Sequence, residues 1–229
     1  MKDKKPGSKL LCYSESRSPV AEAYRTLRTN ILFIDHAKII KTLMVTSAQP
    51  DEGKTTTICN LAIVFAQSGK RVLIVDGDLR KPSLHRMFRL PNQKGLTDLL
   101  LHEDKFVDVV QSIEDMGIDV LTSGTVPPNP TELIGTPYMR ELLRYLTNQY
   151  DLVLVDTPPV LPVSDSQVFA SFLDAVLLVV RSGIVKIESA QKAKSLLEHV
   201  GANVIGVILN DKQVDDSAYM YYEYGEKGS

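Results

Sequence analysis

Short runs of apolar, mostly β-branched residues recur along the chain, and they are nearly continuous in hydrophobicity. Strands that are buried on both faces have this character, whereas strands with one solvent-facing side alternate between apolar and polar residues. The runs therefore predict the strands of a parallel sheet. They are residues 42–47, 71–76, 118–122, 151–156, 174–180 and 203–210.

Helical patterns separate these runs. Apolar residues recur at helical spacing in 55–68, 137–149 and 187–200, and Gly201 after the last of them is typical of a helix end. A further helical pattern, residues 19–34, precedes the first strand. This alternation predicts an α/β fold: a mostly parallel sheet with helices on both faces.

The composition is that of one soluble globular domain, with 229 residues, 44% hydrophobic and 24% charged. The polar segments 1–18 and 211–229 are expected to be flexible, which leaves 19–210 as the domain. A net charge of −2 argues against a nucleic-acid partner, because no excess of positive charge is present to bind phosphates. No run reaches the ~18 apolar residues of a membrane span, so membrane association is expected to come through a partner.

The segment VTSAQPDEGKTTT (45–57) lies between a predicted strand and a predicted helix. It keeps the spacing G-x-x-x-x-G-K-[ST] of a phosphate-binding loop, with Ala48 in place of the first glycine. The Lys54 ammonium would bind the β- and γ-phosphates, and the Thr55 hydroxyl would bind Mg²⁺. The segment therefore predicts a P-loop NTPase-like fold that binds ATP and Mg²⁺. The expected nucleotide-binding residues are Asp51, Glu52, Gly53, Lys54, Thr55 and Thr56.

Acidic residues stand where two other predicted strands end. Asp76 and Asp78 belong to the segment DGD, and Asp156 precedes TPP. Ligands of open parallel sheets collect at the carboxyl ends of the strands, and an acidic residue there can order Mg²⁺ directly or through water. Each aspartate alone is equally typical of a turn. Together with the phosphate-binding loop they predict a metal–nucleotide site.

With these segments in hand, the chain resembles the cytoplasmic catalytic module of the bacterial tyrosine kinases that serve capsular and exopolysaccharide export. The resemblance runs from EAYRTLRTNI to the tyrosine-rich C-terminus, and Glu22, Arg25 and Arg28 match the family's E-x-x-R-x-x-R motif, which mediates ring-shaped oligomers. The other matching motifs are SAQPDEGKTT (Walker A), VLIVDGDLRKP (Walker A′), VLVDTPP (Walker B) and TVPPNPTELI.

The resemblance implies phosphorylation of tyrosine with ATP and Mg²⁺, principally in the tail of a neighbouring subunit. Lys54 then holds the phosphates, Thr55 and Asp156 organise Mg²⁺, Asp76 is the candidate base, and Asp78 supports the metal. Asn210, at the end of the last predicted strand, matches a position that contacts the nucleotide base in related P-loop proteins; a turn residue is the competing interpretation. The expected phosphorylation sites are Tyr219, Tyr221, Tyr222 and Tyr224.

The resemblance also implies partners. They are a transmembrane modulator (a polysaccharide co-polymerase protein), further protein-tyrosine substrates and an opposing tyrosine phosphatase. The kinase itself would be cytoplasmic and recruited by its partner to the inner face of the membrane. The charge pattern adds a hypothesis for the ring: the acidic tail of one subunit is steered to the basic segment 80–90 of the next. The basic residues of that segment are Arg80, Lys81, Arg86 and Arg89.

Two other functions fit part of the sequence. A partitioning ATPase of the ParA/MinD type shares the loop, but those loops carry a signature lysine at the position that Gln49 occupies here. A nucleotide-gated scaffold of an export complex would use ATP only as a ligand, and its residues overlap with those of an enzyme. The tyrosine-rich tail also disfavours the partitioning ATPase, and the acidic strand-end residues at both 76 and 78 favour an enzyme over the scaffold.

Overall fold

The computed structural model describes residues 10–35, 40–101 and 105–212. They form a seven-stranded sheet in the order β3-β4-β2-β5-β1-β6-β7. All neighbouring strands are parallel except β3, which runs antiparallel to β4 at the edge. The strands are β1 (Thr42–Ser47), β2 (Val72–Asp76), β3 (Gln111–Ile113), β4 (Ile118–Leu121), β5 (Leu152–Asp156), β6 (Ala175–Arg181) and β7 (Val204–Asn210).

Helices precede and follow the strands along the described chain. Four of them have thirteen or more residues, and the others are short turns of four to six residues in the connections. They are α1 (Leu11–Ser14), α2 (Pro19–Asp35), α3 (Lys54–Ala66), α4 (Leu84–Phe88), α5 (Leu96–Leu100), α6 (Phe106–Val109), α7 (Pro130–Ile134), α8 (Pro137–Gln149), α9 (Asp165–Ala170) and α10 (Ile187–His199).

The central strands separate two apolar cores. Along β2, Ile74 packs into a core with residues of α1, α2 and α3, whereas Leu73 and Val75 pack into a second core with residues of α5, α8, α9 and α10. Successive side chains of a strand point to opposite faces, so an unbroken apolar run supplies both cores at once. This is why β1, β2 and β5 are buried along their whole length.

The sequence prediction of a single α/β domain is confirmed, and each of the six predicted strands lies within one residue of its observed bounds at either end. Strand β3 was not predicted. It has three residues, none of them buried, and its sequence QSI carries no apolar run. Pairing with the exposed edge of β4 forms it, which is a tertiary cause that a local pattern does not contain.

Part of the segment predicted to be flexible is ordered. Leu10 and Cys12 are buried, and α1 packs against α2 and α3. The main-chain N–H of Cys12 donates to Oδ1 of Asn60 at 2.9 Å, and Nε2 of Gln67 donates to the Cys12 carbonyl at 3.1 Å. Burial of two apolar side chains and these hydrogen bonds offset the entropy of ordering a short segment. Across the described ranges, no helix has both the length and the apolar character that crossing a membrane requires.

Candidate active site

The loop between β1 and α3 has a backbone conformation that depends on glycine. Gly53 has φ 96°, and Asp51 adopts a left-handed φ of 61°. The backbone conformation strains any other residue at position 53, and a Cβ there would lie 2.1 Å from Nδ2 of Asn210, so the Asn210 side chain would have to move. The loop ends at the N-terminus of α3, a thirteen-residue helix whose first N–H groups and dipole favour an anion.

The side chains of Glu52 and Asn210 stabilise the conformation of this loop through hydrogen bonds. The buried carboxylate of Glu52 accepts hydrogen bonds from the main-chain N–H groups of Gln49 and Arg181, the second at 3.2 Å. Nδ2 of Asn210 donates to the carbonyl of Glu52 at 2.9 Å. Burial raises the pKa of Glu52, while these N–H groups and the Lys54 ammonium oppose that shift. The Glu52 side chain therefore shapes the loop, and its contact to a phosphate would come from its main chain.

Asp76 and Asp156 are paired across the sheet. They end β2 and β5 and are direct partners in the parallel register. Both are buried, and Oδ1 of each has no hydrogen-bond partner within the described part of the chain. Two buried carboxylate oxygens without donors are costly unless a cation or a proton joins them.

The environment changes the proton affinity of this pair. Burial raises the pKa of Asp76 to about 8, with the Asp156 charge as the second cause; the N–H groups of Leu84 and Ser83 oppose the shift. Burial also raises the pKa of Asp156 to about 6, against the Lys54 charge and the Thr55 hydrogen bond. The Asp78 charge contributes a smaller rise in both pKa values. The carboxylate pair at this edge of the sheet, beside the phosphate-binding loop, therefore favours a bound proton or a cation.

Thr55 connects the loop to these carboxylates. Its hydroxyl donates to Oδ2 of Asp156 at 2.6 Å and lies 2.9 Å from Oγ of Ser83. The main-chain N–H groups of Ser83 and Leu84 both donate to Oδ2 of Asp76 at 3.0 Å. The structure thus brings Thr55, Asp76 and Asp156 together, as the sequence predicted, and adds Ser83 between them.

Asp78 has a different environment. It is half-buried, and its Oδ1 accepts hydrogen bonds from the main-chain N–H groups of Arg80 at 3.3 Å and Lys81 at 2.9 Å. It therefore fixes the turn after β2.

Arg80, in that same turn, forms a bidentate ion pair with the fully buried Asp165, at 2.7 and 3.0 Å. It also donates to Oγ1 of Thr131 at 3.0 Å.

Comparison with known proteins assigns the chain to a family. The family model described as an AAA domain matches residues 40–203. Tyrosine-protein kinase YwqD of Bacillus subtilis is 44% identical over 214 residues, which cover 93% of this chain and 90% of that protein. Putative tyrosine-protein kinase CapB of Staphylococcus aureus is 36% identical over 225 residues, with coverage of 98% and 99%. The chain belongs to the family of bacterial tyrosine-protein kinases.

Solved structures agree with this family. The kinase domain of the Escherichia coli tyrosine kinase ETK superimposes with a TM-score of 0.84 and 37% identity, covering 90% of this chain and 82% of that one. MinD from Pyrococcus horikoshii gives 0.64 at 22% identity, with coverage of 80% and 77%, and this likeness shows the fold alone. The predicted tyrosine-kinase class and P-loop NTPase-like fold are confirmed, and the sequence similarity favours the kinase over the partitioning ATPase.

The residues predicted for the oligomer interface lie in α2, a helix that packs against α3. In α2, Arg25 pairs with Glu22 at 2.8 Å on the surface, while Nη1 of Arg28 donates to the Val64 carbonyl of α3 at 2.7 Å. Nε of Arg28 is buried and has no partner among the described residues. The predicted phosphorylation sites lie outside the described residues. They are Tyr219, Tyr221, Tyr222 and Tyr224.

Sequence reasoning missed several residues of the candidate site. Ser83 and Arg181 reach it through main-chain or hydroxyl groups, which no spacing rule singles out. Asp165 lies 85 residues from its partner Arg80, so only the fold brings the pair together. The positive charge of Arg80 is evident in the sequence, whereas its neutralisation by Asp165 is not.

Proposed function

We propose that this kinase transfers the γ-phosphoryl group of ATP, with Mg²⁺, to tyrosine hydroxyls, first of all those of the C-terminal cluster of a neighbouring subunit. The proposal rests on one arrangement of side chains. Thr55 of the phosphate-binding loop donates a hydrogen bond to Asp156, and Asp156 pairs with Asp76 in the strand register. Each of these two carboxylates has one oxygen without a hydrogen-bond partner among the described residues. The relatives named as tyrosine-protein kinases support the choice of acceptor.

Magnesium fits the residues present. Mg²⁺ is usually bound through one or two carboxylates together with substrate phosphates. Thr55 and Asp156 would hold the ion, and Asp78 would add charge. Among the described residues no group of three or more His, Cys, Asp or Glu is arranged to hold a metal by itself. The nucleotide would therefore supply the remaining oxygen ligands, and the bound ion would neutralise charge on the transferred group.

The loop supplies most of the catalytic contribution of the protein. Main-chain N–H groups from Asp51 to Thr56 would surround the phosphates at the N-terminus of α3, and Lys54 would place a positive charge beside the γ-phosphate. Asn210 would contact the base through the part of its amide that does not bind Glu52. Phosphoryl transfer depends mainly on such positioning and charge neutralisation.

Asp76 is the group that would accept the proton of the tyrosine hydroxyl. Two main-chain N–H groups donate to its Oδ2, so Oδ1 would be the oxygen that faces the hydroxyl of the tyrosine substrate. Burial raises the pKa of Asp76 to about 8 in the metal-free protein, and a bound cation would favour the ionised carboxylate that a base requires. Because phosphoryl transfer needs little help from a base, we expect Asp76 to contribute less than Lys54 or Asp156.

Fewer basic residues attract the acidic tail than the four that the charge pattern of segment 80–90 indicates. Arg80 is neutralised by Asp165, so it adds little net field. The other basic residues of the segment 80–90 are Lys81, Arg86 and Arg89. A tail that bears several acidic residues would be drawn to this segment of the next subunit.

The assembly and its setting are part of the proposal. Residues 19–210 would be the kinase domain and 211–229 the substrate tail of a ring that forms through Glu22, Arg25 and Arg28. A transmembrane modulator would recruit the cytoplasmic kinase to the inner face of the membrane. Capsular or exopolysaccharide export would be the regulated process, with other tyrosine proteins as further substrates and a phosphatase as the opposing enzyme.

Peptide-resolved mass spectrometry tests this function. The protein is incubated with Mg²⁺ and ATP beside Lys54→Met, with and without the cytoplasmic segment of a candidate modulator. Phosphate on the tail tyrosines of the parent protein only is the expected result. Release of ADP and inorganic phosphate with an unmodified tail would point to an ATPase, and nucleotide binding without turnover would point to a scaffold.

A further inference from the structure

Ser83 contacts two of the candidate catalytic groups through different atoms. Its Oγ lies 2.9 Å from the Thr55 hydroxyl, and its main-chain N–H donates to Oδ2 of Asp76 at 3.0 Å. Thr55 lies in the first turn of α3 on one side of the site, and Asp76 ends β2 on the other. Ser83 is therefore the residue that joins the phosphate-binding loop to the segment after β2.

A purely structural role for the Ser83 side chain does not account for its orientation. Ser83 occupies the position before the first residue of α4, where a serine hydroxyl usually accepts a hydrogen bond from the helix N–H groups. Within the described chain it makes no such capping hydrogen bond. The hydroxyl is turned instead towards Thr55.

The direction of the hydrogen bonds follows from the number of protons. A threonine hydroxyl has one hydrogen to donate and two lone pairs that accept. The 2.6 Å contact with Asp156 uses that hydrogen, because an ionised carboxylate can only accept. Ser83 must then donate to Thr55. The two hydrogen bonds therefore run in one direction: Ser83 donates to Thr55, and Thr55 donates to Asp156. One lone pair of the Thr55 oxygen remains for a metal ion.

We propose that Ser83 is a positioning residue for the metal–nucleotide complex: its hydroxyl fixes the Thr55 oxygen, and its N–H fixes Asp76. This inference rests on the proposed function, since it concerns how Mg²⁺-bound nucleotide is held. A threonine at the start of a helix otherwise divides between two χ1 rotamers. The hydrogen bond from Ser83 selects the one that keeps Thr55 against Asp156.

Binding measurements separate this role from others. In Ser83→Ala the affinity for Mg·ADP is expected to fall about three- to tenfold, the effect of one lost hydrogen bond. The affinity for ADP in EDTA should change less than about twofold by the same reasoning, because Ser83 acts through the metal ligand. Ser83→Thr keeps the hydroxyl and should restore Mg·ADP binding. Ser171→Ala, which removes an exposed serine hydroxyl bonded within α9, is the matched control.

Titration calorimetry gives these affinities without any turnover, and Mn²⁺ bound with ADP, followed by electron paramagnetic resonance, reports the metal directly. The effect of Ser83→Ala on Mn²⁺ affinity should disappear in a Thr55→Ala background. Equal losses of Mg·ADP and metal-free ADP binding, or an unchanged Mg·ADP affinity, would overturn the role of Ser83 while leaving a nucleotide-binding protein. A parent protein that binds no nucleotide would instead overturn the proposed function.

Discussion

Asp76 and Asp156 stand opposite one another on neighbouring parallel strands, so the register of the sheet itself holds two buried carboxylates together. The N–H of Gly77 also donates to the Asp156 carbonyl at 2.8 Å, which fixes the backbone just beyond the pair. Neither carboxylate can leave without disturbing strand pairing. The repulsion between them is therefore a property of the fold, and it makes the site receptive to a divalent cation.

The metal-free protein should lose stability as the pH rises. The pKa of Asp76 is about 8 in the folded state against an ordinary value of 3.8, so the folded chain holds a proton that the unfolded chain releases. The contribution of Asp76 to the free energy of unfolding is thus fully present below about pH 4 and is lost as the pH rises towards 8. Denaturant unfolding in EDTA between pH 5.5 and 8.5 measures this slope. Mg·ADP should flatten it, because the cation replaces the proton.

Asp76→Asn isolates that effect. The amide oxygen can keep the hydrogen bonds from Ser83 and Leu84, and its NH₂ group takes the place of the unpartnered oxygen. We expect a metal-free protein that is more stable than the parent at pH 8 by about 1–3 kcal/mol, with its pH slope reduced. Tail phosphorylation should fall, but by less than in Lys54→Met. A variant as pH-sensitive as the parent would show that other groups cause the slope.

Gly53→Ala should impair the phosphate-binding loop through two separable causes. The new Cβ would collide with the Asn210 amide, and a φ of 96° is strained by about 1–3 kcal/mol for a residue other than glycine. Asn210→Ala in the same chain removes the collision but not the strain. We expect the double variant to recover part of the lost thermal stability, and little of the nucleotide affinity, in melting and fluorescent-nucleotide titrations. Full recovery would show that the collision alone matters.

Arg86→Glu with Arg89→Glu should slow phosphorylation of the tail. Reversing two positive charges near the site removes the attraction for an acidic segment, and the rate should fall about tenfold at low ionic strength and less at high salt. Initial rates of phosphotyrosine formation measure this. Nucleotide affinity serves as the internal control and should stay unchanged. An unaltered rate at low salt would contradict the steering hypothesis.

The E-x-x-R-x-x-R residues should differ in what they stabilise. Arg28→Ala removes a hydrogen bond to the Val64 carbonyl and is expected to lower the free energy of unfolding of the isolated subunit by about 1–2 kcal/mol. Arg25→Ala removes an exposed ion pair with Glu22 and should cost less than about 0.5 kcal/mol. Both should weaken the ring in light-scattering measurements. If Arg25→Ala leaves assembly intact at all concentrations, Arg25 does not belong to the interface.

The long elements and the strand-end residues could be predicted because their causes are local. A run such as VLIVD is apolar on both faces whatever surrounds it, and the loop before Lys54 follows from its own glycine and spacing. Asp76 and Asp156 come together because parallel strands end at one edge of the sheet.

The remaining features depend on contacts between distant residues. The bond between Ser83 and Thr55 requires that the segment after β2 fold back over α3, and a five-residue helix such as α4 has too short a pattern to predict. Asn210 shows how much of one residue's role can be predicted. The sequence predicts that it ends a strand, but its hydrogen bond to Glu52 depends on how β7 aligns with the loop.

The brace from Asn210 has a consequence for local unfolding. Strand β7 pairs only with β6 among the described strands, and Val207 and Leu209 on it are 58% and 52% exposed. Edge strands open locally more readily than central ones, and opening at the end of β7 would withdraw the Asn210 amide from the loop. Bound nucleotide should therefore slow hydrogen exchange in β7. The fraction of time that the phosphate-binding loop spends in this conformation then depends in part on how often β7, at the edge of the sheet, opens.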